Sequence, residues 1–366
     1  MKKILFFSCE PGGAEVLIPV IRLLREHAFD VCVLSYGLAA DRFRRNDIPF
    51  SEMDPGRSAL SLLDRLAPDY IITSATSLPW KDMTEKYLWD AARRIGIGTM
   101  AFNDQWQNYS ERFSGSTNGE KLRYLPDHIN CIDEVGRREM IEEGFPEKSL
   151  IAFGHPYLSE VVARYSAMAF EEAVFALGIP PGEFSREEAL LFVSEPLLEN
   201  YGNSRGYNQY DVLDLFLQNV LRARPGARVI IKLHPKDDPE NFGKVLERFG
   251  RLSLHIVGNE LPSLLCLTLS DRIFGMTSIM LIEAYLIGKT VVSLQPGLRV
   301  PDPLVLSRHG LIPRFDARSD FDPFACEGAR ISTFRVDFDR PGFLAFLKSR
   351  VGLEGRPPLQ KGMHLS

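Results

Sequence analysis

Two blocks of short apolar runs alternating with amphipathic segments make up most of this chain. The first block opens with Lys3–Ser8, an apolar run closed by Cys9-Glu10-Pro11-Gly12-Gly13. From Ala14 to His27 the period lengthens, and Val16, Leu17, Val20, Leu23 and Leu24 fall on one helical face. Phe29–Ser35 then reads as a second strand. Strand, glycine turn, helix, strand is a βαβ unit, which demands a parallel neighbour and a right-handed crossover. The block continues with strands at Tyr70–Thr73, Gly98–Phe102, Ile129–Ile132 and Ile151–Phe153, and with helices at Thr84–Ile95 and Glu134–Glu143.

Between Tyr157 and Glu188 the pattern turns helical and then polar, and Gly178-Ile179-Pro180-Pro181-Gly182-Glu183 reads as a linker, since Pro and Gly stop helices. The second block has strands at Leu190–Val193, Val229–Leu233, Leu252–Val257, Arg272–Phe274 and Thr290–Leu294. Its helices fall at Asp211–Leu221, Asn241–Phe249 and Ser278–Ile287, and a last helix is expected near Phe343–Val351. Strands alternating with helices in this way predict an α/β protein with parallel sheets. With 366 residues the chain suits two cores rather than one. The expected division is an N-terminal Rossmann-like domain over 1–165, a C-terminal one over 166–345 and a tail over 346–366, with the two sheets facing across a cleft.

Composition changes this picture little. The chain is 45% hydrophobic and 25% charged, an ordinary globular balance. No apolar run approaches the roughly 18 residues of a spanning helix. The start, Met1-Lys2-Lys3-Ile4-Leu5-Phe6-Phe7, is cut short by Glu10 and Gly12-Gly13 before a signal-peptide core can form. Five scattered cysteines with no CxxC pair argue against disulfides or zinc and favour a reducing compartment, which places the chain in the cytoplasm. A net charge of −5 gives no electrostatic reason to bind nucleic acid. Peripheral association with the inner face of a membrane is compatible with this composition, although no basic or amphipathic segment marks it.

Ligands of open parallel sheets bind beyond the carboxyl ends of the strands. Three such loops in the second block carry chemistry. Lys232 and His234 stand at a strand end that Pro235 terminates, where an imidazole can donate to a phosphate or protonate a leaving oxygen. Gly275-Met276-Thr277-Ser278 leads into a helix whose start can receive a phosphate, and Glu283 follows on that helix, either as a partner for a ribose hydroxyl or as a solvated helix residue. Ser194-Glu195-Pro196 ends another strand, and the loop Asn203-Ser204-Arg205-Gly206-Tyr207 suits closure over a phosphate. Asp237-Asp238 reads as the start of the next helix rather than as a metal pair; no metal and no cofactor is expected.

The combination of Lys232-Leu233-His234-Pro235 with Gly275-Met276-Thr277-Ser278 and Glu283-Ala284 resembles the bacterial GT-B glycosyltransferase superfamily. The likeness is to sialyltransferase-like and polysialyltransferase-like enzymes and to the CDP-glycerol glycerophosphotransferases. In the first block, Pro11–Ile21 is similar to the first glycine loop and helix of GT-B proteins, including UDP-GlcNAc 2-epimerases. Phe153-Gly154-His155-Pro156-Tyr157 is similar to the end of their N-terminal domain. The resemblance implies a glycosyltransferase that moves a sugar from a CMP- or CDP-linked donor to a glycan or surface-polysaccharide acceptor, without a metal. It implies that His234 and Ser278 contact the donor phosphate and that Glu283 holds the ribose. A UDP-GlcNAc 2-epimerase-like or nucleotide-sugar-hydrolysing enzyme is the first alternative, and a non-catalytic GT-B-like binding protein the second.

Such a transfer also needs a base for the acceptor hydroxyl. The acidic D/E-D/E-G motif of the sialyltransferase-like families has no copy in the first block. Asp104 and Glu10 are the candidates there, with Asp104 slightly favoured, and His234 is the candidate acid. Gly12, Gly13, Gln105 and Trp106 are expected on the acceptor side, since amides, carboxylates and rings suit a sugar. Glu15 reads as a first-turn helix acid.

Overall fold

The computed structural model describes residues 1–117, 119–180, 182–316, 321–327, 334 and 336–353. Pro181, in the expected linker, lies outside the described residues. The chain divides into two compact units, one of residues 1–104, 108–159 and the segment from Val336 on, the other of residues 105–107 and 160–335.

Unit 1 is built on seven parallel strands: β1 (Lys3–Ser8), β2 (Asp30–Ser35), β3 (Ser51–Glu52), β4 (Tyr70–Ser74), β5 (Gly98–Phe102), β6 (His128–Asn130) and β7 (Leu150–Ile151). Their order is β3-β2-β1-β4-β5-β6-β7, so the sequence of strands reverses between β1 and β4. Helix Pro11–Glu26 starts directly after β1 because Pro11 is preorganised for a first turn, and it buries Val16, Leu17, Val20 and Leu24. These side chains join Ile4 and Phe6 of β1 and Ile72 of β4 in one core. Helix Thr84–Ile95 and helix Ala59–Leu66 cover the other face with Leu5, Phe7 and Ile71. The last helix, Arg340–Arg350, is capped by Asp339, whose Oδ1 accepts from Gly342 N at 2.9 Å. It sinks Phe343 and Leu347 into the core of unit 1, not of the segment that precedes it in sequence.

Unit 2 carries six parallel strands: β8 (Ala189–Val193), β9 (Arg228–Lys232), β10 (Ser253–Val257), β11 (Arg272–Gly275), β12 (Thr290–Leu294) and β13 (Arg314–Phe315). The order β10-β9-β8-β11-β12-β13 repeats the Rossmann pattern, with its reversal between β8 and β11. Leu190, Phe192, Val229, Ile231, Phe274 and Val292 pack against helix Gln209–Ala223. Each sheet thus has one topological switch point at its carboxyl edge, where the loops after two central strands diverge and leave a crevice.

Two doubly wound parallel sheets are what the alternation predicted. Among the described residues no helix is long and apolar enough to cross a membrane.

Candidate functional site

At the switch point of unit 2, β8 runs into Ser194-Glu195 and β11 into Met276-Thr277-Ser278. Glu195 reaches across. It accepts from Thr277 N at 2.5 Å and from Thr277 Oγ1 at 2.9 Å, so the two loops are clasped to each other. Burial pushes the Glu195 carboxyl up, against the pull of those bonds and of Arg205. Thr277 and Glu195 therefore shape the crevice through their mutual bonds. Ser278 is the N-cap of helix Ile279–Leu286, its Oγ accepting from Met280 N at 3.3 Å. The helix reads Ile-Met-Leu-Ile-Glu-Ala-Tyr-Leu, and its single carboxylate, Glu283, is buried with 2% exposure.

His234 follows β9. Its Nδ1 accepts from Lys236 N at 3.1 Å, so the neutral ring carries its proton on Nε2 and offers a donor there. Its backbone N–H donates to Asp237 Oδ2 at 2.9 Å, which fixes the turn that Pro235 opens. Asp238 caps helix Pro239–Leu246 through Glu240 N at 3.0 Å, and among the described residues no group of three His, Cys, Asp or Glu side chains gathers to hold a metal. Lys232, buried at the end of β9, donates to the carbonyl of Gly258 beyond β10. Ser194 is buried and sets the strand end, its N–H donating to Lys232 O at 2.9 Å.

Arg205, in the loop Asn203–Tyr207, has a place that its sequence context does not mark. It is buried, its guanidinium lies 4.2 Å from the centre of the Tyr201 ring, and its Nη2 donates to Gln107 Oε1 at 3.4 Å. It also faces Glu195, whose carboxylate it favours. Its only sequence signal was its place in a polar loop, Asn203–Tyr207, which is shared by many turns.

Residues 105–107 cluster with unit 2. Trp106 is buried at 1% exposure, with its ring 5.5 Å from that of Phe334 and its carbonyl accepting from Arg308 Nη2 at 2.9 Å. Its ring is a packing element and not a face offered to a sugar. Gln105 Oε1 accepts from Gln107 Nε2 at 2.6 Å.

In unit 1 the switch point lies between the ends of β1 and β4. Glu10 is the N-cap residue of helix Pro11–Glu26, in extended backbone and without a capping bond from its side chain. Asp104 arrives from the loop after β5 and lies against the same helix start: a Cβ added at Gly12 would fall 2.4 Å from its Oδ2. Gly13 is equally constrained, since a Cβ there would fall 2.3 Å from Ser74 Cβ and 2.8 Å from Ser8 Oγ. Glycine is needed at both positions for close approach, not for a left-handed turn. Asp104 pairs with Arg112 at 2.7 Å, and Arg112 Nη1 also donates to Ala75 O at 2.5 Å. Glu15 sits beyond the first turn and pairs with Arg42 at 3.5 Å, so it serves the surface and not the helix start.

His155, from the Gly154-His155-Pro156 segment, supports Asp104 from behind. Its Nδ1 accepts from Leu158 N at 3.1 Å, which leaves the proton on Nε2, and Nε2 donates to Asp104 O at 3.0 Å. Full burial drives its pKa down to about 4, with the Asp104 carbonyl and carboxylate opposing the shift. His155 is thus a neutral structural donor at physiological pH.

No protein-family model matches the chain, and no curated protein matches it. Solved structures do. UDP-GlcNAc 2-epimerase from Neisseria meningitidis, solved bound to UDP-GlcNAc, superposes with a TM-score of 0.67 at 14% identity, over 95% of this chain and 100% of that one. The UDP-GlcNAc 2-epimerase from Methanocaldococcus jannaschii gives 0.65 at 12% identity, over 95% and 100%. MnaA from S. aureus with UDP gives 0.64 at 13%, over 99% and 100%. Likeness at this identity establishes architecture: the chain has the GT-B-like fold of two Rossmann-like parallel-sheet domains.

Proposed function

We propose that this protein is an enzyme acting on a nucleotide sugar, with the nucleotide diphosphate held at the switch point of unit 2. The observation that carries the proposal is the start of helix Ile279–Leu286. Among the described residues nothing accepts from the amides of Ser278 and Ile279, and the first turn holds no acidic side chain. A helix N-terminus in that state offers donors and a positive dipole end to an anion. The Nε2–H of His234, the buried guanidinium of Arg205 and the Ser278 hydroxyl add donors of the right kind. Glu283 is the acceptor proposed for a ribose hydroxyl. A uracil nucleotide is preferred over the CMP or CDP suggested by the short motifs, because the similar structures solved with nucleotide contain UDP or UDP-GlcNAc.

For the sugar we propose Asp104 as the acid–base carboxylate, with Glu10 as the second candidate. Chemistry on the sugar itself, as in an epimerase or hydrolase, is the reading we favour over transfer to a glycan. The burial of Trp106 against Phe334 removes the aromatic platform expected for an acceptor, and this supports the preference. Transfer to a glycan or polysaccharide remains the second reading, supported by the motif around His234 and Ser278.

The experiment is a thermal-unfolding panel with UDP, CMP, CDP and GDP, followed by incubation with UDP-GlcNAc without acceptor and analysis of the products. UDP should stabilise the chain by several degrees at about 100 times its dissociation constant, since linkage gives roughly 2.7 kcal/mol there. Epimer or free UDP supports the first reading, and turnover only with an added glycan supports the second. Absence of a response to every nucleotide contradicts the proposal.

A further inference from the structure

Three charged side chains that the proposed chemistry does not use are buried behind Asp104. Glu85 and Lys86 are each 0% exposed and Arg112 is 4% exposed. Burying ions is costly, and apolar residues of equal size commonly stabilise a fold as well or better, so a buried set of this size calls for a task. All three converge on the turn that follows β4. Glu85 Oε2 accepts from Thr76 N at 2.5 Å and its Oε1 from the Ser74 hydroxyl. Lys86 Nζ donates to Thr76 O at 3.4 Å, and Arg112 Nη1 to Ala75 O at 2.5 Å. Arg112 is the residue that pairs with Asp104. A continuous line of bonds therefore runs from Glu85 through Thr76 and Ala75 to Arg112 and the Asp104 carboxylate.

A second line leaves from the same carboxyl. Ser74 Oγ lies 2.8 Å from Ser8 Oγ, and Ser8 donates to Glu10 O at 3.2 Å, at the cap of the helix whose Gly12 touches Asp104. Ser74 has one hydroxyl proton. With Glu85 ionised, that proton goes to Glu85. With Glu85 neutral, Glu85 donates to Ser74, and Ser74 donates on to Ser8, so the chain of hydroxyls points toward Glu10.

We propose that Glu85 is a positioning residue for the Asp104 carboxylate, acting through the Ala75–Thr76 turn and Arg112, and that its protonation state is passed to the helix start through Ser74 and Ser8. The functional meaning rests on the reading of Asp104 as the acid–base group. The groups that face Glu85 are Lys86 on its own helix, Asp82 in the preceding turn, Cys9 after β1, and Arg112 by way of Lys86. Burial raises the carboxyl to about 7, against Ser74, Lys86 and Thr76, so both proton arrangements are populated near neutral pH.

The test is amide hydrogen exchange of the unliganded full chain between pH 6 and 8, corrected for intrinsic rates, in wild type, Glu85→Gln and Glu85→Ala. In wild type, protection of peptides covering 74–78 and 103–113 changes with a midpoint near 7. In Glu85→Gln, whose amide copies the neutral acid, that pH dependence is gone. In Glu85→Ala protection of both peptides falls by about tenfold or more, while peptides 193–206 and 275–286 of unit 2 are unchanged. Loosening of 74–78 without 103–113, uniform loosening of unit 1, or an unaltered pH profile in Glu85→Gln overturns the proposal. Nucleotide stabilisation measured on the same variants reports on unit 2 alone, so failure of the nucleotide reading is seen separately.

Discussion

The two switch points are built alike and finished differently. In both, a carboxylate clasps the loop after a central strand: the buried Glu85 holds Ser74 and Thr76 in unit 1, and the half-buried Glu195 holds Thr277 in unit 2. Burial raises both carboxyls. In unit 1 the helix start is then filled by the protein itself. Asp104 lies over Gly12, Ser8 and Ser74 lie over Gly13, and Arg112 balances the charge. In unit 2 the corresponding helix start has its own serine cap, and Arg205, from a neighbouring loop, acts on the Glu195 carboxylate that clasps Thr277. One end is covered by a fixed anion, and on the proposed reading the other receives one. On that reading the same topology divides two tasks, an oriented carboxylate and an anion site, between two helices.

The largest effect that would break this comparison is expected from Arg112. Arg112→Leu leaves the half-buried Asp104 without its guanidinium and the buried Ala75 O without its donor, a loss of about 2–3 kcal/mol, below that of a fully buried ion pair. Thermal unfolding should show a large loss, while UDP binding to the folded fraction should be unchanged. A small loss would mean that the Asp104–Arg112 pair is dispensable.

The pH dependence sharpens the comparison within unit 1. His155 is depressed to about 4 from the ordinary 6.5, so between these values the unfolded chain binds a proton that the folded chain does not; stability present above 6.5 is lost as pH falls toward 4. Glu85 is raised from 4.5 to about 7, so the folded chain holds the extra proton and stability is lost as pH rises through that window. Each window amounts to about 3 kcal/mol at most, and the two slopes oppose each other between 4.5 and 6.5. Glu85→Gln removes one of them, so denaturant titrations of that variant should lose stability more steeply on acidification than wild type does. Parallel curves would show that Glu85 does not titrate in this range.

Gly12→Ala is a smaller change with a local effect. The new Cβ would lie 2.4 Å from Asp104 Oδ2 and push the carboxylate aside, and a shift of that kind should lower turnover of a nucleotide sugar by about 10–100-fold. Nucleotide affinity should not change. Smallest in stability terms is Ser278→Ala, which removes a helix cap worth about 1 kcal/mol but also a donor for the proposed phosphate. Calorimetry should show a weakened nucleotide with the fold intact.

Much of the fold was legible because buried parallel strands are short apolar runs and their helices carry one apolar stripe. Helix Thr84–Ile95 and strands Gly98–Phe102 and Thr290–Leu294 coincide with their expected limits. The two-residue strands β3 and β13 were not resolvable in this way, because two residues carry no period and exist only through their neighbours, and β7 at Leu150–Ile151 begins one residue before the expected strand Ile151–Phe153 and is shorter. Thr84-Glu85-Lys86 looks like the solvated start of a helix, with an acid placed for the dipole. Only the packing of that helix over the end of β4 buries it. Trp106 shows the reverse: a ring in a polar loop suggests a sugar platform, and a residue far along the chain, Phe334, covers it. The start of helix Ile279–Leu286 and its Ser278 cap were legible because glycine, hydroxyl and helix follow one another in sequence. Arg205 and Arg112 act across distances that a local pattern does not encode.

The most direct test of the division between the two helix starts is a calorimetric titration of UDP into wild type, Ser278→Ala, His234→Ala and Asp104→Asn. UDP binding should weaken about tenfold or more in Ser278→Ala and His234→Ala, the scale of a lost charge-assisted bond of about 1.5–3 kcal/mol, and stay unchanged in Asp104→Asn. Binding abolished by Asp104→Asn and untouched by Ser278→Ala would contradict it.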